Sequence, residues 1–186
     1  MDTARNQGDP IDRLVVIPAR IGSGRLPRKP LIVVEGVPII IRTLENARMS
    51  RLADDIVVAT DSEEIAAVVS AASGRVVMTS CHHPSGSDRV AEVACSLRPR
   101  YIVNVQGDEP RIPPQIIDDL FLALQGGAAV ATAARPLRSP SELTDPSRVK
   151  VLCDKQGRAL LFSRAGIPFC REASDSAAAL ALARVH

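Results

Sequence analysis

From residue 14 to residue 124, short unbroken apolar runs alternate with longer segments whose apolar residues recur at helical spacing, and that rhythm constrains the chain more than anything else in it. The runs fall at 14–19, 56–59, 76–78 and 101–105, the last interrupted only by Asn104, and the helix-spaced segments at 38–49, 62–72, 87–97 and 113–124. A strand exposed on one face alternates apolar with polar residues, whereas an unbroken run is buried on both faces. Strands of that kind, separated by helices, predict an α/β architecture of three layers, with a mainly parallel sheet between helices. In such sheets ligands sit beyond the carboxyl ends of the strands.

Capping residues agree with these boundaries. Asp61 or Ser62 precedes a first turn with Glu63 and Glu64, and Ser87 precedes Asp88, so acidic groups stand where the helix N-terminus is positive. Past Gly126 the rhythm changes. Strand-like segments at 128–134 and 149–153 follow, the second running through a turn at Asp154-Lys155-Gln156-Gly157 into 159–162 as a hairpin. The Ala-rich stretch 174–185 predicts a helix. Residues 1–12, polar and broken by Gly8 and Pro10, read as a disordered lead-in, and 13–186 as a single domain.

A net charge of +2 with both signs spread along the chain, and an aromatic content of 2%, argue against a general nucleic-acid surface. No apolar stretch approaches the roughly 20 residues of a membrane span, and the first dozen residues lack a signal-peptide core, so the expected location is cytoplasmic. Cys81, Cys95, Cys153 and Cys170 are widely spaced without a Cys-x-x-Cys pair, as in reduced intracellular proteins. Cys81-His82-His83 suggests zinc, but adjacent side chains rarely converge on one tetrahedral ion, and no zinc site is expected.

The chemistry concentrates at two strand ends. After Ala19 the chain opens into a Gly- and Ser-containing loop with Arg20, Arg25, Arg28 and Lys29, a composition suited to gripping a polyphosphate and neutralising its charge. A solvated basic loop is the simpler alternative. Neither standard phosphate loop fits. Gly22-Ser23-Gly24 starts a dinucleotide fingerprint whose third glycine position holds Pro27, and a P-loop would need Gly before Lys29 and Ser or Thr after it, where Arg28 and Pro30 stand. After Val105, Gln106-Gly107-Asp108-Glu109-Pro110 sets carboxylates beyond a buried strand, where Asp108 suits magnesium; a plain turn with solvated acids is the other reading. His83-Pro84-Ser85-Gly86-Ser87-Asp88-Arg89 offers free amides and hydroxyls for a base or sugar, or is an ordinary helix start with Arg89 in solvent.

Taken in order, Val-Ile-Pro-Ala-Arg, Arg-Leu-Pro-x-Lys-Pro-Leu, Val-Ala-Thr-Asp, His-x-Ser-Gly-Ser-Asp-Arg, Asn-Val-Gln-Gly-Asp-Glu-Pro and Val-Lys-Val-Leu-x-Asp-x-x-Gly-x-Ala-Leu-x-Phe-Ser-Arg-Ala-x-Ile-Pro resemble the 3-deoxy-manno-octulosonate (Kdo) cytidylyltransferases, or CMP-Kdo synthetases. The resemblance runs from Leu14 to Pro168. It implies a Rossmann-like nucleotide-diphospho-sugar transferase fold with a mainly parallel mixed sheet. The activity it implies joins CTP and Kdo into CMP-Kdo and pyrophosphate for lipopolysaccharide assembly, with magnesium as cofactor and a homodimer as the family-type assembly.

Carried onto this chain, the resemblance puts Arg20, Arg25 and Lys29 on the CTP phosphates, with Arg20, Lys29 and Asp108 as the catalytic set and Asp108 on the metal. Ser85, Gly86 and Asp88 would lie near the cytidine, and Gln106, Arg164 and His186 would contact the sugar acid. Arg28 departs from the Gly often found before the loop lysine. The resemblance also extends the family beyond His186 with more sheet, a dimer-forming segment and a second metal carboxylate, so the expectation is an incomplete domain lacking its C-terminal part. Two alternatives stand beside it: a CMP-sialic acid synthetase or other sugar nucleotidylyltransferase, and an inactive nucleotide-binding remnant.

Overall fold

Strand β1 (Arg13–Ala19) carries four consecutive side chains, Leu14 to Ile17, with no solvent exposure at all. The computed structural model describes residues 11–22, 26–169, 171 and 183–186. These residues form two compact units, 1–129 and 130–186, and the boundary falls where the apolar rhythm of the sequence changes.

In the first unit the order is β1, a single 3-10 turn at Lys29–Leu31, β2 (Val33–Val34), β3 (Val37–Pro38), α1 (Ile39–Arg48), β4 (Asp55–Thr60) and α2 (Glu63–Ala71). It continues through β5 (Arg75–Met78), α3 (Gly86–Leu97), β6 (Tyr101–Asn104) and α4 (Pro114–Gln125). Strands β5, β4, β1 and β6 pair in that order, all parallel, while β2 and β3 make a small separate hairpin. The alternation of β1 decides the layers. Val15, Ile17 and Ala19 face α1, α2 and α4 in a cluster with Leu44, Ile65 and Phe121, whereas Leu14 and Val16 face α3 through Val90 and Val93. Full burial of each such aliphatic side chain stabilises by roughly 1.5–3 kcal/mol.

The strand order explains why α3 lies alone on its face. The chain moves outward from β1 to β4 to β5, then returns past β1 to form β6, and a right-handed crossover in the reverse direction puts its helix on the opposite side of the sheet. The reversal leaves a crevice between the carboxyl ends of β1 and β6. Ile11 packs beside the α3 cluster and the Asp12 amide donates to Asp54 Oδ2 at 3.2 Å, so these two residues of the supposed lead-in are held against the sheet.

The second unit contains β7 (Arg135–Pro136), α5 (Pro140–Thr144), β8 (Lys150–Cys153), β9 (Ala159–Ser163) and β10 (Ala183–Val185), with sheet order β7, β10, β8, β9, antiparallel throughout. The expected β8–β9 hairpin is present: Asp154 Oδ1 accepts from the amides of Gln156 and Arg158, and Gly157 takes a φ of 81° in the turn. Three expectations are corrected. Residues 128–134 form no strand, and only Arg135–Pro136 pairs, because 128–134 has no ladder partner and Val130 is exposed. The end of the supposed Ala-rich helix, Ala183–Val185, is a strand between β7 and β8, tertiary pairing having overridden helix propensity; 174–182 lies outside the described residues. The cap of α3 is Ser85, whose Oγ accepts from the Asp88 amide at 3.3 Å, in place of Ser87.

In this unit Arg135, the Arg138 amide and Arg148 surround Glu142 and hold its carboxyl down at about 2, against an ordinary 4.5. A carboxyl depressed on folding adds stability that is complete above the ordinary value and disappears as pH falls toward the folded one. The melting-temperature gap between the parent chain and Glu142→Gln should therefore be widest above pH 4.5 and close progressively toward pH 2, as measured by differential scanning calorimetry.

Candidate active site

Past Ala19 the chain cannot continue as strand, and Arg20 emerges exposed at the carboxyl end of β1. The loop that follows is closed by the Arg28 amide donating to Ile21 O at 3.0 Å. Arg28 has a φ of 60°, the left-handed conformation in which a side chain costs roughly 1–2 kcal/mol relative to glycine. The family resemblance puts Gly at this position, and the backbone supplies the reason. The 3-10 turn then carries Lys29 back over the crevice while Pro30 is buried beneath it.

On the β6 side, Gln106-Gly107-Asp108 turns sharply, with the Glu109 amide donating to Gln106 O at 3.0 Å. Helix α1 anchors the turn. Thr43 Oγ1 donates to Gly107 O at 3.2 Å, and Asn46 Nδ2 donates to Pro110 O. Gly107 is required by proximity: a Cβ here would lie 2.9 Å from Pro18 O, a backbone atom that cannot swing away. The two loops meet in an ion pair, Lys29 Nζ to Asp108 Oδ2 at 2.5 Å, with both side chains partly open to solvent.

Around this pair lies an open cavity of about 230 Å³, lined among others by Arg20, Lys29, Gly86, Arg89, Gln106 and Asp108. Five of the residues singled out from sequence, Arg20, Lys29, Gly86, Gln106 and Asp108, thus share one cavity wall. Ser85 and Asp88 stand at the start of α3, where the Ser85 hydroxyl donates to Asp88 Oδ2 at 2.6 Å and the two cap the helix. Arg25 lies outside the described residues. Arg164 and His186 belong to the second unit: Arg164 Nη1 donates to Pro146 O at 3.0 Å, and the His186 ring stands edge-on to Phe162 with Nε2 2.6 Å from Thr132 Oγ1.

Arg89 is the lining residue that sequence reasoning put in solvent. It is 2% exposed, hydrogen-bonded to Thr79 Oγ1 and paired with Asp61 Oδ2 at 3.1 Å, so it ties the ends of β4 and β5 to α3. A cation in the first turn of a helix opposes the helix dipole, and that conflict was the available signal that its charge has a partner. One turn further on, the His83 ring and the Ser80 amide hold the Glu92 carboxyl below its ordinary range and fasten the preceding loop to α3.

Among the described residues, no group of three or more His, Cys, Asp or Glu is placed to hold a metal ion. Among the residues that line this cavity, Asp108 alone offers a hard carboxylate, beside the three cations Arg20, Lys29 and Arg89. That donor set fits magnesium, which takes one or two carboxylates and fills its remaining positions with water and substrate phosphates. No helix among the described residues is long and apolar enough to cross a membrane.

The cytidylyltransferase family model matches residues 14–182. The chain is 48% identical over 170 residues to the 3-deoxy-manno-octulosonate cytidylyltransferase of Polynucleobacter necessarius, covering 89% of this chain and 66% of that protein. It is 46% identical over 169 residues to the protein of that name from Polynucleobacter asymbioticus, covering 88% and 66%. It therefore spans just under two thirds of the length of these relatives. Among solved structures, a CMP:2-keto-3-deoxy-manno-octonic acid synthetase complexed with CTP superimposes with a TM-score of 0.86 at 36% identity, covering 94% of this chain and 71% of that one.

Gly107→Ala should force the Gln106–Asp108 turn away from Pro18 and destabilise the chain by about 1–3 kcal/mol. Urea unfolding measures this, and an unchanged midpoint would show that the close approach is relaxed in solution.

Proposed function

The chain belongs to the cytidylyltransferase family, and from that premise we propose that it carries the nucleotide site of a 3-deoxy-manno-octulosonate cytidylyltransferase, which transfers CMP from CTP to Kdo and releases pyrophosphate. The observation that carries the reading is the Lys29–Asp108 pair spanning the β1/β6 crevice beside Arg20. Three cations, of which Arg89 is already paired with Asp61, and one carboxylate around an open cavity suit a triphosphate that arrives with a divalent cation.

In this reading Lys29 exchanges its carboxylate partner for phosphate oxygens when nucleotide binds, and Arg20 adds a second fixed positive charge. Asp108, released from Lys29, would hold magnesium, which when bound supplies further neutralisation of phosphate charge. Arg25 joins the phosphate contacts. Gly86, at the start of α3, lets the cytidine approach, with Ser85 and Asp88 beside it. Gln106, Arg164 and His186 contact the sugar acid. Its anomeric oxygen forms a bond to the α-phosphorus as the bond to the pyrophosphate oxygen breaks, and the chain contributes orientation and fixed positive charge. A cytoplasmic location completes the proposal.

Titration calorimetry should show CTP binding weakened by about 1.5–3 kcal/mol in Lys29→Ala, the value of a charge-assisted contact. In Asp108→Asn, binding in EDTA should be unchanged or tighter, because Lys29 loses its competing anion, while the gain on adding magnesium disappears. Full magnesium dependence in Asp108→Asn would return the Gln106 to Pro110 segment to a plain turn. Pyrophosphate release from CTP, magnesium and Kdo, with none when N-acetylneuraminate replaces Kdo, is the expected specificity; the reverse pattern would assign the chain to sialic acid activation.

A further inference from the structure

The second unit buries a lysine. Lys150, the first residue of β8, has no solvent exposure, and its ammonium donates all three protons to main-chain carbonyls: Asp145 O at 2.8 Å, Arg148 O at 2.8 Å and Arg164 O at 2.6 Å. Taking an ammonium out of water is costly unless each proton finds an acceptor, and here each does. An apolar residue would fill the same space without that cost, so the charge has a task that packing does not explain.

The three carbonyls identify the task. Asp145 and Arg148 bracket the loop that leads into β8, and Arg164 is the first residue after β9. The Arg164 side chain in turn donates through Nη1 to Pro146 O at 3.0 Å and Ser147 O at 3.3 Å, on the loop that Lys150 braces. Lys150 therefore fixes both the backbone from which Arg164 springs and the surface on which its guanidinium rests, while the guanidinium itself remains exposed. The loop has supports of its own, since Asp145 Oδ1 accepts from the Ser147 amide at 2.8 Å and Arg148 pairs with Glu142 at 3.2 Å, but neither reaches Arg164.

We propose that Lys150 is a positioning residue for recognition of the sugar acid, acting through Arg164. The proposal rests on the reading that Arg164 contacts that substrate. A guanidinium that meets a carboxylate in a two-point geometry depends on its placement, so loosening its support weakens both contacts together. A side chain without donors, such as Met, would take this partner from the Arg148 and Arg164 carbonyls, leave Asp145 O only the Arg148 amide at 3.2 Å, and release Arg164 from the loop's brace.

The test compares Lys150→Met, Lys150→Gln, Arg164→Ala and the Lys150→Met/Arg164→Ala double variant, with Kdo and CTP affinities measured separately by calorimetry on the full chain. Lys150→Met should weaken Kdo binding about tenfold or more and leave CTP binding within about twofold. Lys150→Gln, with two donors for three acceptors, should fall between it and the parent, and it carries the comparison if Lys150→Met fails to fold. The double variant should bind Kdo no more weakly than Arg164→Ala alone, because both substitutions remove one function. Multiplying losses in the double variant, or equal weakening of Kdo and CTP, would overturn the proposal and leave Lys150 a structural brace. Unaltered Kdo binding in Arg164→Ala, or none in the parent chain, would instead overturn the assignment of Arg164 and with it the proposal.

Discussion

The reversal of strand order at β1 is the constraint on which the first unit depends. Because β1 is covered on both faces and paired on both edges, the chain can add strands only outward from it, first through β4 to β5 and then, on the other side, as β6. Right-handed crossovers then put α1 and α2 on one face and α3, on the return past β1, on the other, and the strand order reverses between the carboxyl ends of β1 and β6. The crevice left there needs no special sequence. What fills it does: one loop brings Arg20 and Lys29, the other Gln106 and Asp108.

Two of the cavity's three cations are paired with carboxylates before any ligand arrives. Lys29 and Asp108 neutralise each other across it, and Arg89 is neutralised from behind by Asp61. A bare cation cluster would repel itself and destabilise the loops that carry it, whereas a paired one can exchange partners when a polyanion and a divalent cation enter together. The partly exposed Lys29–Asp108 pair contributes little to folding, since surface ion pairs are worth at most about 1 kcal/mol, so exchanging it costs little. Placement comes from elsewhere, through the hydrogen bonds of Thr43 and Asn46 to the Gly107 to Pro110 turn and the close packing of Gly107 on Pro18.

The second unit solves a similar problem by other means. Its sheet is antiparallel and short-stranded, and the segments beside it are held by polar groups. Glu142 gathers Arg135, Arg148 and the Arg138 amide, Asp154 closes the β8–β9 turn, and Lys150 gathers three carbonyls. Of these groups only Lys150 is fully buried, which costs desolvation, and all three give geometric definition to the loops they tie.

Periodicity and burial preference by themselves determined the alternating elements of residues 14–124, their parallel arrangement and the strand ends that carry the charged motifs, because an unbroken apolar run in water has few ways to hide both its faces. They also determined the β8–β9 hairpin, whose turn chemistry is local to Asp154 and Gly157. Tertiary structure alone decided the rest. That Ala183–Val185 pairs as a strand depends on partners more than thirty residues away in sequence, against the helix preference of an Ala-rich stretch. That Arg89 is buried depends on Asp61 and Thr79 meeting it from the ends of two other strands, and that Lys150 is a hub depends on carbonyls, which every residue possesses and no sequence pattern marks. Side-chain type and spacing record local preference and amphipathic face, whereas the position of a backbone oxygen or a distant counter-charge exists only once the chain has closed on itself.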